Sequence, residues 1–177
     1  ECPPFIEHVQ KMVDMRRYLV MTESKFPQEM QPVFRNMEVN YNPWSMGYSA
    51  RADWAEGLDV PLASEKKKFE VLYWVGCSGS FDARGQAVAR SMVGILKSAG
   101  VDFAILGTEE MCCGETARRM GNEYLAQTLI EGNIEVLEKY EFERVLTTCP
   151  HGYNTFKVEY PQFEYEKPVI HHSEFLL

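Results

Sequence analysis

Positive charge is scarce in this chain: 18 Lys and Arg stand against 26 Asp and Glu, giving a net charge of −8 at pH 7. That deficit excludes a broad nucleic-acid footprint and disfavours adsorption to an anionic membrane surface. The one basic run, Lys66-Lys67-Lys68, reads as a solvated linker. No run of about 18 apolar residues occurs, so the sequence offers no membrane-spanning helix, and no signal-peptide pattern is seen. Gly-x-Gly-x-x-Gly and the phosphate-binding P-loop are also absent, which leaves no nucleotide site in view. Cysteine is sparse and odd in number, five in 177 residues, without the spacing of a small secreted disulfide scaffold. A reducing, intracellular setting with metal or redox chemistry fits that usage. The sequence opens Glu1-Cys2-Pro3 and stops at Phe175-Leu176-Leu177 where a helix begins, so further chain is expected on both sides.

What is present is an adjacent pair, Cys112-Cys113, followed by Gly114. Cys77 precedes it by 34 intervening residues, 78–111, and Cys149 follows Gly114 after another 34, 115–148. Only Cys2 stands outside this set. Adjacent thiolates serve one metal centre only where the backbone bends sharply, and Gly114 permits such a bend.

Hydrophobic patterning places these residues. Residues 4–21 are predicted as a helix, with Ile6, Val9, Val13 and Val20 as its apolar stripe and Met12 and Leu19 beside it. Pro27 opens a second helix to about Met37, although Pro32 falls inside it. Residues 40–65 carry Asn42-Pro43-Trp44, Gly47, Gly57 and Val60-Pro61, signals of irregular chain. Trp44, Tyr48 and Trp54 read as anchors for that loop, and Arg51 as an anion binder or a salt-bridge partner. From Phe69 the character changes. Strands are predicted at 69–75, 102–106, 144–148 and 168–171, separated by helical stretches. Residues 76–80 read as a loop. Asp82 caps a helix to about Ala99, with Ala87, Val88, Met92, Ile95, Leu96 and Ala99 facing inward. Residues 115–139 are helical with a break at Gly121-Asn122, residues 153–160 form a short helix ended by Pro161, and Ser173 caps a last one. The alternation predicts an α/β fold, a parallel sheet with crossover helices. Residues 1–65 form a helical and irregular extension, and residues 66–177 the α/β domain. Three of the four strands carry cysteine at or just beyond their carboxyl ends, where open parallel sheets bind ligands.

Four thiolates suit zinc or an iron–sulfur cluster. Zinc sites usually draw on close Cys-x2-Cys pairs, whereas an adjacent pair suits a bulkier multi-iron centre. The same residues also admit buried cysteines acting as small hydrophobes, or a vicinal disulfide. Glu115 reads as a helix N-terminal carboxylate, and Arg84 and Lys157 as solvated helix residues near the site.

Gly76-Cys77, Cys112-Cys113-Gly114-Glu115 and Cys149-Pro150-His151, with Tyr73-Trp74-Val75 before the first and Gly152-Tyr153-Asn154-Thr155-Phe156-Lys157 after the last, resemble the CCG domain. This cysteine-rich module belongs to heterodisulfide reductase catalytic subunits and their relatives. The resemblance covers residues 69–177 and includes His171-His172 before Ser173. Cys2-Pro3 is similar to the end of a ferredoxin cysteine run. With the following helix and the Asn-Pro-Trp loop, it is similar to the subunit of the sulfite-reduction membrane complex. It is similar also to the iron–sulfur oxidoreductases between electron-transferring flavoprotein and quinone. The resemblance implies an oxidoreductase subunit with one iron–sulfur cluster on Cys77, Cys112, Cys113 and Cys149. Cys2 would ligate an upstream ferredoxin-type [4Fe-4S] cluster. The implied partners are a flavoprotein, a ferredoxin-type protein or a membrane quinone-reactive subunit within a hetero-oligomer, at the cytoplasmic face of a membrane. One position departs from the family: its last motif is Cys-x-x-Cys, and here the third residue after Cys149 is Gly152. Four cysteines suffice for a cubane [4Fe-4S] cluster, which is favoured over the non-cubane form that carries disulfide chemistry. His151 and His172 are the candidate further ligands or hydrogen-bond donors to sulfur.

Overall fold

The computed structural model describes residues 8–177. At its centre lie four strands, β1 (Val71–Trp74), β2 (Phe103–Ala104), β3 (Arg144–Thr147) and β4 (Val169–His171). All pair in parallel, in the order β2-β1-β3-β4. The chain leaves β1 for β2 on one side and crosses to β3 on the other. The crevice between the carboxyl ends of β1 and β3 is therefore the topological switch point, where such sheets bind ligands.

Both faces of the sheet are covered, which explains why β1 is an unbroken apolar run rather than an alternating one. Val71, Tyr73 and Val75 pack with helix α5 (Ala83–Ser98), through Ala89, Met92, Val93 and Leu96. Leu72 and Trp74 share the opposite cluster with Ile130 and Leu137 of α7 (Glu123–Leu137) and with Phe156 and Tyr160. Alternate residues of one strand thus serve two layers.

The segment before the sheet shares both its edge and its core. It contains α1 (His8–Met21), α2 (Met30–Asn40), a 3-10 helix at Tyr48–Ala55 and α3 (Ala63–Lys66). The amide of Ile105 donates to Pro61 and that of Ala63 to Ile105, each at 2.9 Å, so residues 61–63 extend the β2 edge. Trp54 is buried in the α5-side cluster. Phe34 and Met37 of α2 form a third cluster with Cys112, Ala117, Leu125 and Leu129.

Several local expectations are corrected. α2 starts at Met30, so Pro32 falls in its first turn, where a missing N–H costs no helical bond. In α1 Val13 is buried, but Val9, Met12 and Leu19 are exposed, because the helix meets the body mainly through residues 115–121, just before α7. Arg17 pairs with Glu123 at 2.9 Å. On α5, Val88 and Ile95 face solvent while Ala89 and Val93 face the sheet, a rotation of one residue from the expected stripe. Trp44 and Tyr48 are exposed, leaving Trp54 as the anchor of their loop. The expected loop after β1 is the short helix α4 (Gly76–Phe81). Helix α6 (Glu115–Arg119) breaks as expected at Gly121, and Asn122 caps α7. After β3, helix α8 (Pro150–Asn154) starts at once and continues as a π turn and a 3-10 turn to Phe163, with Pro161 in the first turn of the last piece. His171, not Ser173, precedes α9 (His172–Phe175). Among the described residues no helix is long and apolar enough to cross a membrane.

Candidate metal centre

The carboxyl ends of β1 and β3 deliver Cys77 and Cys149 to the switch point. Gly76 has φ +74, and a Cβ added there would sit 3.7 Å from the Cβ of Cys149. The two segments therefore run close together, with room for little more than a methyl group between them. The loop after β2 brings Cys112 and Cys113 to the same place. All four cysteines line one cavity of about 170 Å³, with Trp44, Trp74, Glu115, His151 and Gly152 among its other walls. Cys112 is buried, and Cys77, Cys113 and Cys149 are half-buried.

The adjacent pair is held by its backbone. Gly114 turns at φ +94, and a Cβ there would lie 3.1 Å from both Ala126 O and Ile130 Cγ1. Any other residue would be strained and crowded against α7. The Cys112 amide donates to Tyr41 O at 2.9 Å. Asn133, fully buried on α7, grips the other side of the loop. Its Nδ2 donates to Cys112 O at 2.9 Å and its Oδ1 accepts from Met111 N at 3.1 Å. On the other strand, the Cys149 amide donates to Thr147 Oγ1 at 3.2 Å.

Charge enters from two residues far apart in sequence. Arg51 and Glu110 are 1% and 2% exposed. Arg51 Nη2 donates to Glu110 Oε1 at 3.1 Å and to Cys77 Sγ at 3.4 Å. The Glu110 carboxylate also accepts from the amides of Val75 at 3.0 Å and Gly76 at 2.8 Å. The Cys77 thiol is drawn down to about 7, by its hydrogen bond with Cys112 first and by Arg51 next, against the effect of burial. The Cys112 thiol is pushed well up by its contacts with Cys113 and Cys77 and by burial. Burial raises Cys149 too, while the amides of Gly152 and His151 oppose it. Burial alone would lower Arg51, but Cys77 and Glu110 raise it and keep it charged. Burial raises Glu110, and Arg51 with the two amides pulls it back.

Among the sequence candidates, Cys77, Cys112, Cys113, Cys149, Glu115 and His151 come together at the cavity. His172 does not line it; its ring packs at 4.2 Å from that of His171. Lys157 is exposed and donates to the Tyr153 hydroxyl at 3.0 Å, and Arg84 lines the neighbouring groove. Cys2 lies outside the described residues. Glu110 and Asn133 are the residues that sequence reasoning missed. Asn133 carries a readable sign, since it falls between Leu129 and Leu137 on the buried face of α7. Glu110 carries none beyond its place next to Met111-Cys112.

The donors at the cavity are overwhelmingly sulfur, which fits a soft, thiolate-bound centre. Among the described residues no three His, Cys, Asp or Glu side chains converge as ligands of a single ion. A multi-iron cluster distributes its thiolates over several metal atoms, so such convergence is not needed for one. The residues present therefore fit a cluster.

The chain matches an "EtfAB:quinone oxidoreductase" of Syntrophomonas wolfei at 47% identity, over 99% of this chain and 25% of that protein. It matches a "Probable iron-sulfur-binding oxidoreductase FadF" of Bacillus subtilis at 45%, over 99% of this chain and 26% of that protein. One polypeptide of the "Dihydromethanophenazine:CoB–CoM heterodisulfide reductase" of Methanosarcina barkeri is 30% identical over 85% of this chain and 37% of that protein. The chain thus spans about a quarter of the length of the first two relatives. No solved structure matches it. The family model of the cysteine-rich domain, CCG, matches residues 71–157, which contain all four cavity cysteines. Residues 71–157 therefore belong to the CCG cysteine-rich domain family.

Proposed function

We propose that Cys77, Cys112, Cys113 and Cys149 hold one iron–sulfur cluster, a cubane [4Fe-4S], and that the chain is the electron-transfer portion of an oxidoreductase. The observation that carries this reading is the meeting of four thiols from three strand ends at one small cavity. The printed names of the relatives, which include an iron–sulfur-binding oxidoreductase and a quinone oxidoreductase, support it. When bound, the cluster supplies a one-electron couple. The chain's own residues do the rest. Gly114 and Asn133 fix the backbone of the adjacent pair, Trp74 walls the cavity with the Phe156 ring 4.8 Å behind it, and the amides of His151 and Gly152 favour the thiolate of Cys149.

Electrons pass between a flavoprotein or ferredoxin-type donor and a quinone or disulfide acceptor, within a hetero-oligomeric assembly at the cytoplasmic face of a membrane. Cys2 ligates a further ferredoxin-type cluster with cysteines upstream of this segment. The acidic surface suits basic docking faces on the partners.

Anaerobic preparation of the full chain tests the assignment. The expected sample is brown, contains about four iron and four acid-labile sulfide per CCG domain beyond those of any ferredoxin clusters, and gives a paramagnetic signal on one-electron reduction. A colourless, folded CCG domain with one zinc would overturn it in favour of a structural zinc module.

A further inference from the structure

Arg51 is the one residue among those described whose charged side chain is bonded to a cysteine sulfur of the cavity. Its position is fixed from several sides. Nη1 donates to Tyr41 O at 3.3 Å, the same carbonyl that accepts from the Cys112 amide. Nη2 is shared between Glu110 and Cys77 Sγ. The guanidinium carbon stands 5.7 Å from the centre of the Phe81 ring on α4. Glu110 is tied in turn to the backbone just before Cys77, through the amides of Val75 and Gly76. The carboxylate thus holds the chain that leads to Cys77, and the guanidinium holds the sulfur itself.

A buried ion pair is a weak source of stability, because desolvation offsets most of its attraction. Stability alone gives no reason for a guanidinium at a sulfur atom. Its polarity does. The positive end of the pair is bonded to the Cys77 sulfur, and the negative end to the two backbone amides just before it. Positive charge and N–H donors at a ligating sulfur favour the more negative, reduced state of a metal centre. Cys149 receives only backbone amides, so the field across the cavity is one-sided.

We infer that Arg51, a positioning residue acting through Cys77, sets the reduction potential of the cluster upward, and that Glu110 limits how far. The inference rests on the iron–sulfur assignment proposed above. Because the pair is oriented, its two members act with opposite signs.

The test is a redox titration of the full chain, following the paramagnetic signal of this cluster. Arg51→Met is expected to lower the midpoint potential and Glu110→Gln to raise it. The double variant R51M/E110Q is expected between wild type and Arg51→Met. Arg51→Lys, which keeps the charge, is expected to recover most of the lost potential. Arg51→Met leaves Glu110 buried without its partner, so a folding defect there is checked against the double variant, which leaves no uncompensated charge. Single variants that shift the potential in the same direction, or an Arg51→Lys variant whose potential falls as far as that of Arg51→Met, would overturn the inference. Loss of the chromophore from wild-type protein would instead sink the iron–sulfur assignment, so the two failures are distinguishable.

Discussion

Cys77 and Cys149 follow neighbouring strands of one sheet, yet they stand in opposite surroundings. Cys77 lies against the interior. Its sulfur meets a fully buried guanidinium, its loop is tied to Glu110, and α2 with the 3-10 helix at Tyr48–Ala55 covers it. Cys149 starts the short α8, whose first residues, Pro150 and His151, face solvent or its edge. Trp44, 51% exposed, lines the cavity here and the open groove beside it. The contrast teaches that the site has a supported half and an accessible half. Side chains from distant segments fix the charge at one end, and backbone amides alone serve the other.

The largest expected effect tests that contrast directly. Cys77→Ser and Cys112→Ser should abolish retention of the cluster, since Arg51 bonds the Cys77 sulfur and Tyr41 and Asn133 hold the Cys112 backbone. Cys149→Ser should retain a measurable fraction, because water can reach that corner as a substitute ligand. Iron and sulfide content after gel filtration reads the difference. Equal loss in all three variants would erase the distinction between the halves.

Next in size is the cost of breaking the buried pair. In metal-free protein, Arg51→Met should lower unfolding free energy by about 3–5 kcal/mol, because Glu110 would be left buried without its charged partner. R51M/E110Q should recover much of it. Urea unfolding followed by circular dichroism measures both. A loss of similar size in the double variant would mean that packing of the arginine stem, not charge, supports the Cys77 half.

How much of this was readable before the structure depends on how far each contact reaches along the chain. The four strands, their parallel sense and the delivery of cysteine to strand ends followed from local patterning. The single-residue rotation of α5 did not, since Val88 and Ile95 are as apolar as Ala89 and Val93 and only the sheet below decides between them. The role of Arg51 was open between anion binding and a salt bridge, and the structure has the salt bridge, to Glu110, with a hydrogen bond to Cys77 Sγ beside it. Its partners are 26 and 59 residues away, a separation that no local period encodes. Asn133 was legible in principle, as a polar residue at a buried helical position. His172 illustrates the reverse failure. The family resemblance offered it as a further ligand or hydrogen-bond donor to sulfur, but the turn into α9 sets its ring against His171.

A smaller effect compares the two backbone clamps. Asn133 makes two bonds to the Met111-Cys112 segment, and Thr147 makes one to the Cys149 amide. Asn133→Ala should cost about 1–3 kcal/mol, the penalty of leaving buried backbone groups unpaired. Thr147→Val, which keeps the shape, should cost no more than about 1 kcal/mol, because helix α8 can satisfy the freed amide with water at its exposed start. Thermal unfolding of the metal-free variants orders them. If Thr147→Val proved the costlier, the Cys149 half would be the better supported one.

The smallest effect on the fold, and the sharpest on the accessible half, comes from Gly152. It occupies the position where the family pattern has another cysteine, in the first turn of α8 and on the cavity wall. A Cβ there would meet Thr147 Oγ1 at 3.5 Å, Trp74 Cδ1 at 3.5 Å and Trp74 Nε1 at 3.6 Å, all ordinary contacts. Gly152→Cys should therefore change stability by less than about 1 kcal/mol, while placing a fifth thiol at the Cys149 end. If this end holds a corner of the cluster, the electronic and paramagnetic spectra should change and the potential should fall, since added thiolate charge disfavours the reduced state. The change should persist with Arg51→Met in the background, because the two residues act from opposite ends of the cavity. Spectra that match the parent protein, with the new thiol freely alkylated, would place position 152 outside the ligation and leave the four original cysteines as the complete ligand set.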